Sequence, residues 1–220
     1  MNDIELLLDY PANLAASLMA DKIDVALLPV AAMPGIPGAR RVSDYGIAAE
    51  GDVASVALFS KVPLEEIETV YLDYQSRSSV RLATLLLKDY WKKEVNLVPA
   101  PEDYITHIKR TTAGVIIGDR ALEQRHNFSY IYDLAHTWKD WTGLPFVFAA
   151  WVANKDLSQD FIDRFNAANA EGLNHIDEIV EAHPFAHYDL QTYYRHNIHY
   201  HLDAQKLMGL EAFLELISDK

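Results

Sequence analysis

The apolar positions of this chain fall into short runs, each the length of a strand or of a few helical turns. Ile4–Asp9 (IELLLD) is such a run and predicts a buried strand. Pro11 then opens a stretch, ANLAASLMADK, in which Leu14, Leu18 and Met19 share one helical face. Asp24–Val30 (DVALLPV) predicts a second buried strand, and the proline- and glycine-rich stretch Met33–Gly46 predicts a loop. The order strand, helix, strand, loop predicts a parallel sheet with its functional loops at the strand carboxyl ends.

Val53–Ser60 (VASVALFS) reads as the next strand, followed by a short helical turn over Val62–Ile67 and a strand over Thr69–Asp73 (TVYLD). After the polar segment Gln75–Ser79 (QSRSS) comes a helix over Val80–Trp91. Further strands are expected at Asn96–Ala100, Gly114–Gly118 (GVIIG) and Pro145–Asn154 (PFVFAAWVAN), with helices at Tyr104–Arg110 and Leu134–Thr142. From the capping-type residue Ser158 onward the pattern is almost wholly helical. The apolar strands VASVALFS and PFVFAAWVAN bracket a self-contained segment of alternating strands and helices. This predicts an α/β protein of two lobes around a hinged cleft. Residues 57–148 would form one lobe, inserted through two crossing strands, and residues 1–54 with 152–220 the other.

Composition narrows the chemistry. Half the residues are apolar and 23% are charged, as a packed core requires. The absence of cysteine removes disulfides, thiolate metal sites and cysteine nucleophiles, and fits a reducing cytoplasm. No apolar run approaches the ~18–20 residues of a membrane span, and the amino terminus shows no basic secretory region. A cytoplasmic protein without a membrane partner is therefore expected. The net charge of −13 argues against nucleic acid as a partner. A small anionic ligand is compatible with it, because a pocket is a local field.

The candidate chemistry lies in three places. In QSRSS, Ser76, Ser78 and Ser79 offer hydroxyls, Arg77 a charge, and the following helix its unpaired first-turn amides. Capping by Ser78 alone and an anion site that also caps are both open readings. After GVIIG, Gly118 permits close backbone approach, and Asp119 and Arg120 are either ligand groups or an ion pair and turn. Ser55 faces the cleft or is satisfied by nearby backbone. HNIHYH puts His196 and His199 at helical i, i+3 spacing, but without a recognisable metal-ligand pattern these read as structural histidines. Tyr188, Tyr193, Tyr194 and Tyr200 read as helix packing. No GxGxxG, P-loop, GxSxG or HExxH motif is present, and no cofactor or metal is expected.

Taken together, several segments resemble the chorismate dehydratase family of the futalosine route to menaquinone. They are DVALLPV, VASVALFSKVPLEEI, QSRSSVRLATLLL, GVIIGDRAL, YIYDLAHTWKDWTGLPFVFAAWVANK and the tail YRHNIHYHLDAQKLMGLEAFLEL. The resemblance implies a type II periplasmic-binding-protein-like fold with a helical carboxyl-terminal segment. It also implies a carbon–oxygen lyase that removes water from chorismate to give 3-(1-carboxyvinyloxy)benzoate, without a cofactor; it implies no oligomeric state. In that frame Ser76, Ser78 and Asp119 are the catalytic candidates, and Ser55, Arg77, Ser79, Gly118 and Arg120 bind substrate. The base is open between Asp119, a loop ahead of this chain and the substrate's own enolpyruvyl carboxylate. Two alternatives stand beside this: a non-catalytic binding protein for a small carboxylate, and the related dihydroxynaphthoate synthase. Members of that sister family typically carry a histidine after the strand matching GVII and a threonine-rich loop in place of SRSS. Here Gly118 and Asp119 follow the strand. Family members usually carry a further strand and an SYLN-type loop ahead of the segment matching IELLLDY, which implies that Met1 is an internal methionine of a longer protein.

Overall fold

The structure, a computed structural model, describes residues 4–9 and 11–218. Met1, which bears on the expected longer protein, lies outside them. The elements in chain order are α1 (Pro11–Met19), β1 (Ala26–Pro29), β2 (Arg40–Ala49), β3 (Val56–Ser60), β4 (Thr69–Leu72) and α2 (Arg77–Leu85). Next come β5 (Asn96–Pro99), β6 (Thr112–Ile117), α3 (Asp119–Gln124), β7 (Tyr130–Asp133), α4 (Leu134–Thr142) and β8 (Phe146–Ala153). The chain ends in α5 (Gln159–Leu173), α6 (Ile176–Ala182), α7 (Leu190–Thr192), β9 (His199–His201) and α8 (Ala204–Ser218). Among the described residues no helix is long and apolar enough to cross a membrane.

The strands form two sheets, ordered β1-β8-β2-β9 and β5-β4-β6-β3-β7. The expected parallel sheet is corrected in the first sheet, where every described pairing is antiparallel. In the second, β5, β4 and β6 run parallel to one another, and β3 is antiparallel to its neighbours β6 and β7. The two strands read as crossing between lobes each stay in one sheet: β3 pairs with β6 and β7, and β8 with β1 and β2. The chain passes from the first sheet to the second over residues 50–55 and returns from β7 to β8 through α4.

Why β3 reads as an unbroken apolar run is visible in its packing. Val56 and Leu58 face the large cluster shared by both sheets, while Ala57 and Phe59 face a second cluster with Tyr104 and Ile116. A strand covered on both faces has no position left for alternation. The shared cluster joins Leu28 and Ala48 of the first sheet to Leu58 and Val70 of the second, so the lobes meet through a continuous apolar seam.

Several elements depart from the sequence pattern. Ile4–Asp9 forms no strand; Leu6 is 74% and Leu8 85% exposed. A leucine run becomes a strand only where a neighbour takes its amides, and no described strand pairs with it. The loop expected over Met33–Gly46 contains most of β2, whose Gly46 is required because a side chain there would strike the Ala149 carbonyl of β8. β9 interrupts the expected helical tail and docks on β2, Tyr45 opposite His201.

Helix α8 seals the first sheet with two devices. Gly209 lies against Pro145, so that a β-carbon would sit inside the radius of the Pro145 carbonyl oxygen. Lys206, its side chain 3% exposed, binds Glu50 at 2.5 Å and Asp203 at 2.6 Å. The hydrogen bond from Lys206 holds both carboxyl groups below their ordinary range. Burial pulls the ammonium down, but its bonds to the two carboxylates outweigh this and hold it above its usual value.

Two outcomes are expected. Gly209→Ala forces backbone apart and costs about 1–3 kcal/mol, a fall of roughly 3–10 °C in melting temperature by calorimetry. Because the Glu50 and Asp203 pKa values are lowered by folding, their contribution is full above the ordinary carboxylate values and is lost as pH falls through the lowered ones. Urea unfolding at neutral and acid pH should show Lys206→Met losing part of the acid sensitivity of the parent.

Candidate functional site

The site is built around a buried carboxylate. Asp73 ends the β4 run, and its side chain is fully buried. It accepts from the Tyr104 hydroxyl at 2.7 Å, from Arg120 at 2.7 Å and from the Gln75 amide at 2.7 Å. Burial, then the Asp73 charge, pushes the Tyr104 phenol up, so it stays a donor. Arg120 also donates to the Gln75 side chain at 2.8 Å and stacks its guanidinium on Tyr74. One ion pair thus ties the start of α3 to the β4–α2 loop, bringing Gly118–Arg120 beside QSRSS.

That loop sets up the first turn of α2. The cap is Ser76, not Ser78: Ser76 is extended at φ −132°, and its Oγ accepts from the Ser79 amide at 3.2 Å and pairs with the Ser79 hydroxyl at 2.9 Å. The Val80 amide bonds to the Ser76 carbonyl, leaving the Arg77 and Ser78 amides without an intrahelical partner. Arg77 is exposed and meets no carboxylate at ion-pair distance among the described residues. A cation at the positive end of a helix is unfavourable unless an anion joins it.

Ser78 does something else. It is wholly buried, and its Oγ accepts the Ala31 amide at 3.2 Å. Ala31 lies in the single 3₁₀ turn Val30–Gly35 that follows β1. The bond therefore joins the two lobes, and they are in contact here.

Ser55 sits in the passage between the sheets. Ala54 has a left-handed φ of 62°, uncommon for a residue with a side chain. It is held there by Asp133, which accepts its amide at 2.8 Å, and by Arg125, which donates to its carbonyl at 2.9 Å. Burial pushes the Asp133 carboxyl up against the amide bonds that lower it. The Ser55 carbonyl accepts the Gly118 amide at 2.8 Å, which joins the passage to the end of β6. The Ser55 hydroxyl accepts from Tyr193 at 2.9 Å. Gly118 has φ 64°, ψ −147°, a conformation open to glycine.

The sequence profile of the family described as Menaquinone biosynthesis matches residues 1–219. The chain belongs to this menaquinone-biosynthesis family. It is 31% identical over 203 residues to the chorismate dehydratase of Thermus thermophilus, covering 79% of this chain and 72% of that protein. The fold is that of binding proteins. A structure of protein AF1704 from Archaeoglobus fulgidus superposes with a TM-score of 0.73 at 16% identity, covering 99% of this chain and 86% of that one. The periplasmic aliphatic sulphonate binding protein SsuA of Escherichia coli gives 0.58 at 12%, over 96% and 79%.

In this family member the eight sequence candidates come from the passage, the β4–α2 loop and the end of β6, and the bonds above place these three segments side by side. Asp119 is exposed at the start of α3. Cavities of about 370 Å³, beside Tyr194, His199 and Lys206, and about 340 Å³, beside Asp133 and His136, include none of the eight. The histidine cluster is corrected in shape. His196 lies in the π-helical turn Tyr193–Asn197 and His199 starts β9, so the i, i+3 face does not form. His199 faces Glu50 at 3.5 Å, and no metal-holding group of three ligands occurs among the described residues. Sequence reasoning missed Asp73 and Ala31, and read Tyr193 only as packing. A lone aspartate or alanine carries no pattern until the chain is folded.

The Asp73–Arg120 pair predicts a stability effect. Arg120→Ala leaves a buried carboxylate with only Tyr104 and one amide, and should cost about 2–3 kcal/mol in urea unfolding. Unchanged stability would show that Arg120 is spare for ligand.

Proposed function

We propose that this chain is a chorismate dehydratase, a cytoplasmic hydro-lyase acting in the futalosine route to menaquinone. The family match and the Thermus thermophilus relative support the reaction class. The observation that carries the reading is the seam where Ser78 meets Ala31: a hydroxyl and a helix start from one lobe close on the other. Opening that seam admits a small molecule, and closing it removes water that competes for the same donors.

The reaction takes a proton from the ring carbon that bears the enolpyruvyl ether. Its electron pair is vinylogous to the ring carboxylate and collects there before forming the new ring double bond. The neighbouring hydroxyl then leaves and, with a proton, becomes water. Aromatisation drives the step, so the protein lowers the barrier by stabilising the carboxylate as its charge grows. Ser78, Ser76 and the free amides of Arg77 and Ser78 are the donors assigned to it, with Ser79 holding Ser76 in place. The Arg77 guanidinium is assigned to the enolpyruvyl carboxylate, Gly118 to close backbone approach and Ser55 to a second hydroxyl contact. Asp119, exposed and without an ion-pair partner among the described residues, is assigned as the base. Arg120 contributes by fixing the loop through Asp73 and Gln75.

Incubation with chorismate and mass spectrometry of the products tests this. A species lighter by one water is expected. Chorismate bound by calorimetry but returned unchanged would make the chain a carboxylate-binding protein instead. Ser78→Ala should reduce turnover roughly ten- to a thousandfold in protein whose fold is intact by circular dichroism; unchanged turnover would remove Ser78 from the site.

A further inference from the structure

The carboxyl-terminal segment reaches into the passage between the sheets. Tyr193–Asn197 is one π-helical turn, a device that recurs at functional sites. It is anchored at several points: the Tyr193 amide bonds to the Asp189 carbonyl at 2.9 Å, the Ile198 amide to the Tyr193 carbonyl at 3.0 Å, and the Asn197 side chain to the Asp52 carbonyl at 2.8 Å. The rings of Tyr188 and Tyr194 meet Tyr193 edge-on, so its phenol has little freedom. That phenol ends 2.9 Å from the Ser55 hydroxyl.

A serine hydroxyl has one proton and two lone pairs. Between a phenol and an alcohol, the more acidic phenol donates, so Ser55 Oγ is occupied as an acceptor. The Ser55 amide is used on Val53 at 2.7 Å and its carbonyl by Gly118 at 2.8 Å. The hydroxyl proton is what remains. It has no acceptor in the hydrogen bonds of the described residues, although Ser55 is only 4% exposed. A buried donor without an acceptor is costly unless a ligand supplies one. Burial, and at longer range the Asp119 charge, keeps the phenol above its ordinary pKa and therefore protonated.

We infer that Tyr193 is a positioning residue that acts through Ser55, turning the serine proton toward the carboxylate of a ring acid in the cleft. This rests on the chorismate reading for its substrate but not for its ligand class. Tyr193 is then no simple packing residue, and the tail of the chain supplies part of the site.

The test is a double-mutant cycle with Ser55→Ala, Tyr193→Phe and both together, each checked for an unchanged melting temperature. Tyr193→Phe keeps the ring and removes only the hydroxyl, so packing is preserved. A lost bond to a charged group lowers kcat/KM for chorismate roughly ten- to a hundredfold. The expected result is that each single change gives such a loss, in the same kinetic parameter, and that the double change is no worse than Ser55→Ala. Full activity in Tyr193→Phe, or losses that multiply, would overturn the inference. The same proteins titrated calorimetrically with benzoate give a readout independent of turnover. Equal, non-additive weakening there with no dehydration would uphold the relay and reject the reaction. Benzoate and chorismate both unbound by the parent would overturn both.

Discussion

A carboxylate taken out of water must be repaid by donors, and the arrangement of this site follows from how Asp73 meets that demand. Its partners come from the 3₁₀ turn holding Tyr104, from Arg120 in α3 and from the amide of Gln75. Satisfying one buried charge therefore fixes the height of α3, the course of the β4–α2 loop and the start of α2. Ser76 can cap the helix only because that loop arrives extended. The serines of QSRSS owe their placement to a residue that need never touch a ligand.

The second constraint is the passage between the sheets. Asp133 and Arg125 hold Ala54 in a left-handed conformation from the side of the second sheet, while Asn197 and Tyr193 grip Asp52 and Ser55 from the tail. Strain of order 1–3 kcal/mol persists at such a residue only where its surroundings over-determine it. Here both lobes contribute the determination. The covalent link between lobes, the close approach of Ser55 to Gly118 and the Ser78–Ala31 contact thus belong to one mechanical unit.

This unit accounts for how a chain of net charge −13 can attract an anion. Arg120 is neutralised by Asp73, so it adds little field of its own. What remains at the seam is the start of α2, Arg77, which has no ion-pair partner among the described residues, and hydroxyl protons whose oxygens are already occupied as acceptors. Directional donors held by folding act on a carboxylate at short range, where the distant surface charge is screened.

Strand and helix positions in the middle of the chain were legible because burial on both faces writes itself as apolar runs, as in β3, β6 and β8. The family and the segments bearing the candidate residues were legible for a related reason: glycine, serine and charged residues at strand ends are local punctuation. Strand direction, the pairing of β2 and β9, and the failure of Ile4–Asp9 to form a strand were not. Each depends on which backbone lies alongside, and no residue encodes its neighbour alone. The same holds for chemistry. Sequence determined that hydroxyls and an arginine stand before a helix; only the tertiary structure decided that Ser76 caps, that Ser78 reaches the other lobe, that Arg120 is spent on Asp73 and that Tyr193 meets Ser55. Hydrogen-bond direction and charge pairing are properties of distance between segments far apart in the chain, and distance is set by folding.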